Sequence, residues 1–317
     1  IIRAGKFDFY GKEFAFEYDN FKIDLINVDS LKMWATTGKK DEYGNNILTP
    51  VRTVIEKIQG NLLIDNPFNK SGKKDYPEFP VLNSFKESFV FYDKKNVQNG
   101  VYKRDNFYFK VYPFKIDSLD NMTNEQLRFN GLFASAGVFP DFEETLILQP
   151  DYSLGFIRKT PPDGYAMYGG KGTFYNNINL SNKGLRGDGK LEYITSTTYS
   201  NDFVFHPDSM FTRAQAFDIA EQQTGVEFPP VRGDDVSVRW YPKNDYMNTF
   251  SIDKPITMYE NKSNLSGKLR LAPNGLTGKG LFSFDKAEMT ADLYKFKHVE
   301  FESDTAAFRL KDEVSTH

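Results

Sequence analysis

Leu265-Ser-Gly-Lys-Leu-Arg-Leu-Ala-Pro-Asn-Gly-Leu-Thr-Gly-Lys-Gly-Leu-Phe-Ser-Phe284 decides the fold. Leu269 and Leu271 flank a charged residue, Phe282 and Phe284 flank a serine, and Pro273-Asn-Gly275 supplies turn chemistry between them. Apolar residues at every second position mark a strand with one buried face; a helix would repeat them every three or four. Tyr294 and Phe296 carry the pattern on. A finer beat runs through the same region. Leu265-Ser-Gly, Leu276-Thr-Gly, Met289-Thr-Ala and Phe301-Glu-Ser open successive strands 11 to 13 residues apart. The small third residue predicts a bend or a close backbone approach.

The same period extends toward the N-terminus. Phe14, Phe16 and Tyr18 alternate, then Phe21, Ile23 and Leu25, and later Phe107, Phe109 and Val111. Asn99-Gly100 predicts a hairpin or short loop joining Phe89–Tyr92 to Val101-Tyr102. Two segments, Arg52 to Gln59 and Thr212 to Gln223, could be helical; the first is rich in β-branched residues and is expected to be strand, the second partly strand. Asn66–Pro80 is expected to be a polar loop. The chain is therefore all-β.

An internal repeat sharpens that reading. Leu180–Ile219 aligns without a gap on Leu271–Leu310, an offset of 91 residues, with eight of forty positions identical. Gly184, Leu185, Gly187, Gly189 and Phe205 fall on Gly275, Leu276, Gly278, Gly280 and Phe296. A weaker match at an offset of 93 places Phe14-x-Phe16 on Phe107-x-Phe109. The expected architecture is an elongated stack, solenoid or jellyroll-like, built from multi-strand units of about 90 residues; the alternative is tandem β-sandwich domains. The divisions follow: an N-terminal repeat region over 1–150, a Pro/Gly/Tyr-rich connecting loop over 151–172 that packs as an ordered surface loop, and a C-terminal repeat region over 173–317.

Composition removes several functions. The 317 residues carry 40 basic and 43 acidic side chains, a net charge of -3, which argues against a dedicated nucleic-acid binder. No stretch approaches the roughly 18 to 20 apolar residues of a membrane-spanning helix. With no cysteine, disulfides and thiolate chemistry are excluded. Only His206, His298 and His317 remain as imidazoles. Aromatics are abundant: 30 Phe, 18 Tyr and 2 Trp make 16% of the chain, as half-buried strands favour. The opening Ile1-Ile2-Arg3-Ala4-Gly5 lacks an initiator Met and a signal pattern, so a piece of a longer chain, or a chain that has lost its leader, is expected.

Candidate chemistry is sparse. Tyr168-Gly-Gly-Lys-Gly-Thr-Phe174 has a glycine between Lys171 and Thr173 and leads into a strand, so it is a turn, not a phosphate loop. His206 and His298 each lack a second His for a metal. Glu143-Glu144 and Asp234-Asp235 are adjacent, and on a strand they point to opposite faces, poor geometry for glycoside hydrolysis. No catalytic residue, metal or cofactor is assigned. Two surfaces stay open. Trp34, with parity opposite to Leu31 and Met33, could join Tyr165 and Tyr168 as an aromatic platform for sugar, whereas Trp240 shares a core face with Val236 and Val238. The stripe Leu269, Leu271, Phe282, Phe284, Tyr294 and Phe296 either interdigitates into a dry core or lines a groove for acyl chains.

Leu148-Gln-Pro-Asp-Tyr-Ser-Leu-Gly-Phe156, Tyr168-Gly-Gly-Lys-Gly172, Gly184-Leu-Arg-Gly-Asp-Gly189 and Pro273-Asn-Gly-Leu-Thr-Gly278 carry a resemblance. Over residues 130–310 the chain resembles parts of very long, repeat-rich envelope or secreted β proteins of Bacteroidota. Its Leu-x-Gly-x-Leu-x-Leu beat is also similar to bridge-like lipid-transport proteins of Gram-negative envelopes. The resemblance implies an envelope or secreted location and partners among other domains of a longer chain or envelope proteins. The function expected is a non-enzymatic structural or interaction segment. A lipid-binding or lipid-transporting β-groove is the alternative, and a polysaccharide-binding or polysaccharide-cleaving module the third.

Overall fold

The structure, a computed structural model, describes residues 1–311; His317 lies outside them. Among the described residues there are 25 strands and three one-turn 3-10 helices, and no α-helix. The chain is all-β. Twelve strands come first. They are β1 (Ile2–Ala4), β2 (Phe7–Glu17), β3 (Lys22–Lys40), β4 (Asn46–Pro50), β5 (Ile55–Leu63) and β6 (Val81–Ser84), then β7 (Ser88–Phe91), β8 (Phe107–Val111), β9 (Lys115–Ile116), β10 (Arg128–Ser135), β11 (Phe142–Leu148) and β12 (Leu154–Lys159). Thirteen follow. They are β13 (Tyr165–Met167), β14 (Gly172–Ser181), β15 (Gly184–Tyr193), β16 (Ser196–His206), β17 (Ser209–Ile219) and β18 (Val231–Tyr241), then β19 (Tyr246–Ser251), β20 (Ile256–Met258), β21 (Ser263–Ala272), β22 (Gly275–Phe284), β23 (Ala287–Phe296), β24 (Phe301–Glu302) and β25 (Ala306–Leu310).

The chain forms two compact units. The first comprises Ile1–Ala136, Asp141–Ile157 and Asn179–Gly184; the second comprises Gly137–Pro140, Arg158–Ile178 and the chain from Leu185 onward. In the first unit antiparallel pairing runs β1-β2-β3-β5-β7-β8-β10-β11-β12. Register puts Phe7 opposite Met33, and Phe9 opposite Leu31, which in turn faces Ile55. All five are fully buried. Around Phe107 the core is aromatic: Tyr102 stacks on it at 4.0 Å and Phe133 meets it edge-on at 5.4 Å.

In the second unit the order β15-β16-β17-β18-β19-β21-β22-β23-β25 is again antiparallel between sheet neighbours, with β20 bridging β18 and β21. Two-residue turns join β15 to β16, β16 to β17 and β22 to β23, the economical connection for such a meander. Because the side-chain period is two, one register commits a whole face. Val236, Val238 and Trp240 are all fully buried, while Arg239 between the last two is exposed.

Several strand bounds recur at 91 residues. β13, β14 and β15 have the same lengths as β20, β21 and β22, shifted by that offset. Register slips between Gly187 and Gly189 in the β15–β16 pair, and between Gly278 and Gly280 in the β22–β23 pair. A Cβ on Gly187 would stand 2.6 Å from the Phe174 ring and 2.9 Å from Phe205; on Gly278 it would stand 2.6 Å from Phe296 and 3.3 Å from Leu265. The four neighbours are themselves related by the same offset. The weaker pairing at 93 has no such counterpart: Phe107 and Phe109 are fully buried, but Phe14 is half-buried and Phe16 is 57% exposed.

Arg52–Gln59 enters β5, and Thr212–Gln223 is strand as far as Ile219. Asn99-Gly100 sits in a 3-10 turn with Asn99 at φ 56, inside a loop that runs from β7 to β8. The hairpin it was expected to close is made instead by Phe89–Phe91 pairing with Tyr108–Lys110. Tyr102 is no strand residue; its ring is drawn inward to stack on Phe107. Residues 151–172 hold strands β12 and β13.

Candidate functional site

Five of the six stripe residues are core. Leu269, Leu271, Phe282, Tyr294 and Phe296 are exposed by 2% or less. Their rings fill the space between them, with Phe282 centred 5.7 Å from Tyr294 and 5.3 Å from Phe296. The Tyr294 hydroxyl donates to the Met289 carbonyl at 2.7 Å, and burial raises its pKa. Phe284 is the exception, being half-buried at the strand end.

Beyond Phe284 the apolar face continues but loses its cover. Register places Phe282, Met289 and Phe308 in one row, and Phe284, Ala287 and Leu310 in the next. Exposure is greatest at the β25 end of each row: 60% at Phe308 against 0% at Phe282, and 66% at Leu310 against 7% at Ala287. Phe301, on β24, packs at 4.8 Å from Phe282 and 5.4 Å from Phe284. Beside it opens a cleft of about 500 Å³, floored by Phe282, Phe284, Phe301 and Tyr259 and rimmed by Glu221 and His298. The rim pair stands 3.1 Å apart. Tyr259 ties the rim down by donating to the Glu300 carbonyl at 2.8 Å. An apolar floor with a polar rim suits an apolar partner carrying a polar end.

The aromatic platform residues are placed apart in function. Trp34 is half-buried in the first unit, and its indole N–H donates to the Asp8 carboxylate at 3.0 Å. Tyr165 and Tyr168 belong to the second unit. The Tyr165 hydroxyl accepts from the Arg158 guanidinium at 2.8 Å. Tyr168 donates toward the carbonyls of His206 and Ser209 at 2.8 and 3.0 Å and sets its ring edge-on to Trp240 at 5.2 Å. Both tyrosine hydroxyls are thus engaged inside the protein.

The remaining candidates are accounted for by pairing. Glu143 accepts from the Tyr112 hydroxyl at 2.9 Å, and Asp235 receives two 2.6 Å bonds from Arg213, which hold its pKa below the ordinary range. Tyr168–Phe174 turns into β14, a strand. Among the described residues no three His, Asp or Glu side chains gather to hold a metal ion. No family model matches the chain, and neither a curated protein nor a solved structure matches it.

His206 offers a measurable consequence. Its ring meets Phe211 edge-on at 4.6 Å, and burial holds its pKa below the ordinary histidine value of 6.5, against a smaller upward pull from Asp208. The unfolded chain binds this proton more tightly than the folded one. Its contribution to stability is therefore complete above pH 6.5 and declines as pH falls below it. Urea denaturation across that window should show the decline in the wild type and a flatter profile in His206→Gln. Every other titratable group is common to both proteins, so the difference between the two profiles isolates His206. An unchanged slope in the variant would assign the effect to another group.

Sequence reasoning found the stripe but not its uncovered end. Met289, Phe301, Phe308 and Leu310 are apolar like their neighbours, and only strand pairing shows that β25 has no partner on its far side among the described residues.

Proposed function

We propose that this chain is a non-enzymatic structural or interaction segment whose partner adds a strand to β25. The observation that carries the reading is the contrast between two positions 91 residues apart. Phe217 is 1% exposed because β18 pairs alongside β17, setting Gly233 opposite Phe217 and Val231 opposite Ile219. Phe308 and Leu310, at the matching positions of β25, are 60% and 66% exposed, with no such strand beside them among the described residues. An unpaired, apolar edge is a template for another strand, with main-chain bonds for affinity and alternate side chains for specificity. Covering the exposed part of Phe308 and Leu310 would contribute about 1–2 kcal/mol each.

The repeat supports a stack of multi-strand units in which each unit covers the next, as the sequence beat suggests. The partner is then a further domain of a longer chain or another envelope protein, in the envelope or secreted setting implied by the resemblance. A lipid-type ligand is the second reading, favoured by the aromatic floor of the 500 Å³ cleft.

Native mass spectrometry of the purified protein separates the two. Edge pairing predicts concentration-dependent oligomers of bare chains, abolished by Phe308→Lys, a charge on an edge strand. That side chain is mostly solvated, so the variant should keep its stability within about 0.5 kcal/mol. A monomer carrying an extractable amphiphile, lost in Phe284→Ser, would replace the first reading with the second.

A further inference from the structure

The outer face of β18, β19, β21, β22 and β23, opposite the buried leucines and aromatics, carries an unusual row of charge. Elsewhere on the outside of this unit cations stand against carboxylates: Arg186 with Asp202 at 3.1 Å, Arg213 with Asp235 at 2.6 Å, and Arg232 with Asp218 at 2.9 Å. Register lines up Arg239, Asn248, Arg270, Thr277 and Lys295 side by side across five strands. Among the described residues, Arg239, Arg270 and Lys295 have no ion pair. The carboxylate opposite Lys295, Glu302, forms its ion pair with Lys297 at 2.8 Å, and Lys295 acts on it only through its charge.

The two arginines of the row, and Lys268 beside it, lie on rings instead. The Arg270 guanidinium sits 3.8 Å from the Tyr246 ring centre, and Arg239 and Lys268 stand 5.8 and 5.7 Å from Phe250. Two strand spacings, about 10 Å, separate each cation of the row from the next, and Asn248 or Thr277 fills each gap. Asn248 is 6% exposed, and its Oδ1 has no hydrogen-bond partner. A concavity of about 840 Å³ opens at the row, lined by Arg270, Tyr246, Lys295 and Asn274. Its two carboxylates are engaged: Asp245 by Lys171 and the Tyr193 hydroxyl, Glu227 by the backbone N–H of His298.

We propose that this row binds an acidic polysaccharide bearing one carboxylate or sulfate per disaccharide, laid across the strands. The cation spacing matches the length of one disaccharide in an extended chain. The guanidinium fork suits carboxylate and sulfate oxygens. Tyr246 and Phe250 offer ring faces to sugar C–H groups, and Asn248 and Thr277 offer partners to the hydroxyls between charges. Single-stranded nucleic acid carries a charge on every residue, closer together than these cations stand. A bilayer would call for exposed apolar side chains between the cations, and the rings here are half-buried beneath them. The row is on the face opposite the apolar one and stands independently of strand addition at β25.

Affinity electrophoresis in gels containing hyaluronan, which has one carboxylate per disaccharide, tests this. The wild type should be retarded, less so as salt rises. Arg239→Gln and Arg270→Gln should each weaken binding about tenfold, the worth of one charge-assisted contact. Arg213→Gln, on the same outside but ion-paired, should leave retardation unchanged. The proposal is overturned if the wild type is not retarded, if Arg213→Gln loses as much as the row variants, or if an oligothymidylate or anionic phospholipid vesicles outcompete hyaluronan.

Discussion

Replacing Gly278 by valine should destabilise the protein by about 3 kcal/mol, the upper part of the range for overpacking a filled core. The backbone at Gly278 is compatible with any residue; what forbids a side chain is space. A Cβ there would stand 2.6 Å from the Phe296 ring and 3.3 Å from Leu265, and those two side chains are exposed by 2% and 0%. The ring has no solvent to move into, since Phe282 packs 5.3 Å away. Gly187→Val meets the rings of Phe174 and Phe205 in the same way and should cost a similar amount. Urea unfolding followed by circular dichroism measures both, with Thr277→Val on the outer face as the control. Shortening the obstructing ring, in a Gly278→Val/Phe296→Leu double variant, should restore part of the loss. If Gly278→Val unfolds no earlier than Thr277→Val, the two glycines are not close-packing positions.

That pair of glycines also shows what was legible in the sequence. Gly187 and Gly278 stand out only because an ungapped alignment brings them together with Phe205 and Phe296, and those rings are what they pack against. Local pattern carries this information: alternation sets the strand, a turn ends it, and a small residue marks where backbone or ring comes close. Hence the all-β class and the buried parity of Trp240 can be read from residues within one strand, whereas Trp34, opposite in parity to Met33, is half-buried against Asp8. Asn99-Gly100 shows the limit. Its turn chemistry is real, with Asn99 at positive φ, yet the strands it punctuates pair farther along because Tyr102 gains more by stacking in the core than by extending a hairpin.

The candidate surfaces were less legible for a physical reason. A row such as Arg239, Asn248, Arg270, Thr277 and Lys295 draws one residue from each of five strands, and apart from Asp234, two residues along and bonded to Arg232, nothing in a single strand distinguishes Arg270 from Arg232. The difference is cross-strand: Arg232 finds Asp218 opposite, whereas Arg270 has Asn248 and Thr277 on its two sides. Likewise Phe308 reads as core in its own strand, and is exposed only because the strand beyond it is missing from the described pairing. Registers, not residue types, create both surfaces.

Trp240 should be the costliest single side chain to truncate. Trp240→Ala is expected to lower stability by about 3–5 kcal/mol, the range for deleting a large buried aromatic. The indole is fully buried; Tyr168 meets it edge-on at 5.2 Å, and Tyr193 packs against it at 5.0 Å. Gly172 leaves room for it, since a Cβ there would stand 2.7 Å from the ring. Trp240 therefore clamps the turn before β14 and the end of β15 onto β18, and its loss frees three elements at once. Trp34→Ala removes a half-buried ring and one hydrogen bond to Asp8, so about 1 kcal/mol is expected. The two are the chain's only tryptophans, so single variants also report separately by fluorescence: Trp34→Ala should keep the blue-shifted emission of a dry indole, and Trp240→Phe should lose it. Equal costs for the two alanine variants, or blue-shifted emission that survives Trp240→Phe, would mean that Trp240 is not the closed centre of this core, and that the face it shares with Val236 and Val238 is open to solvent.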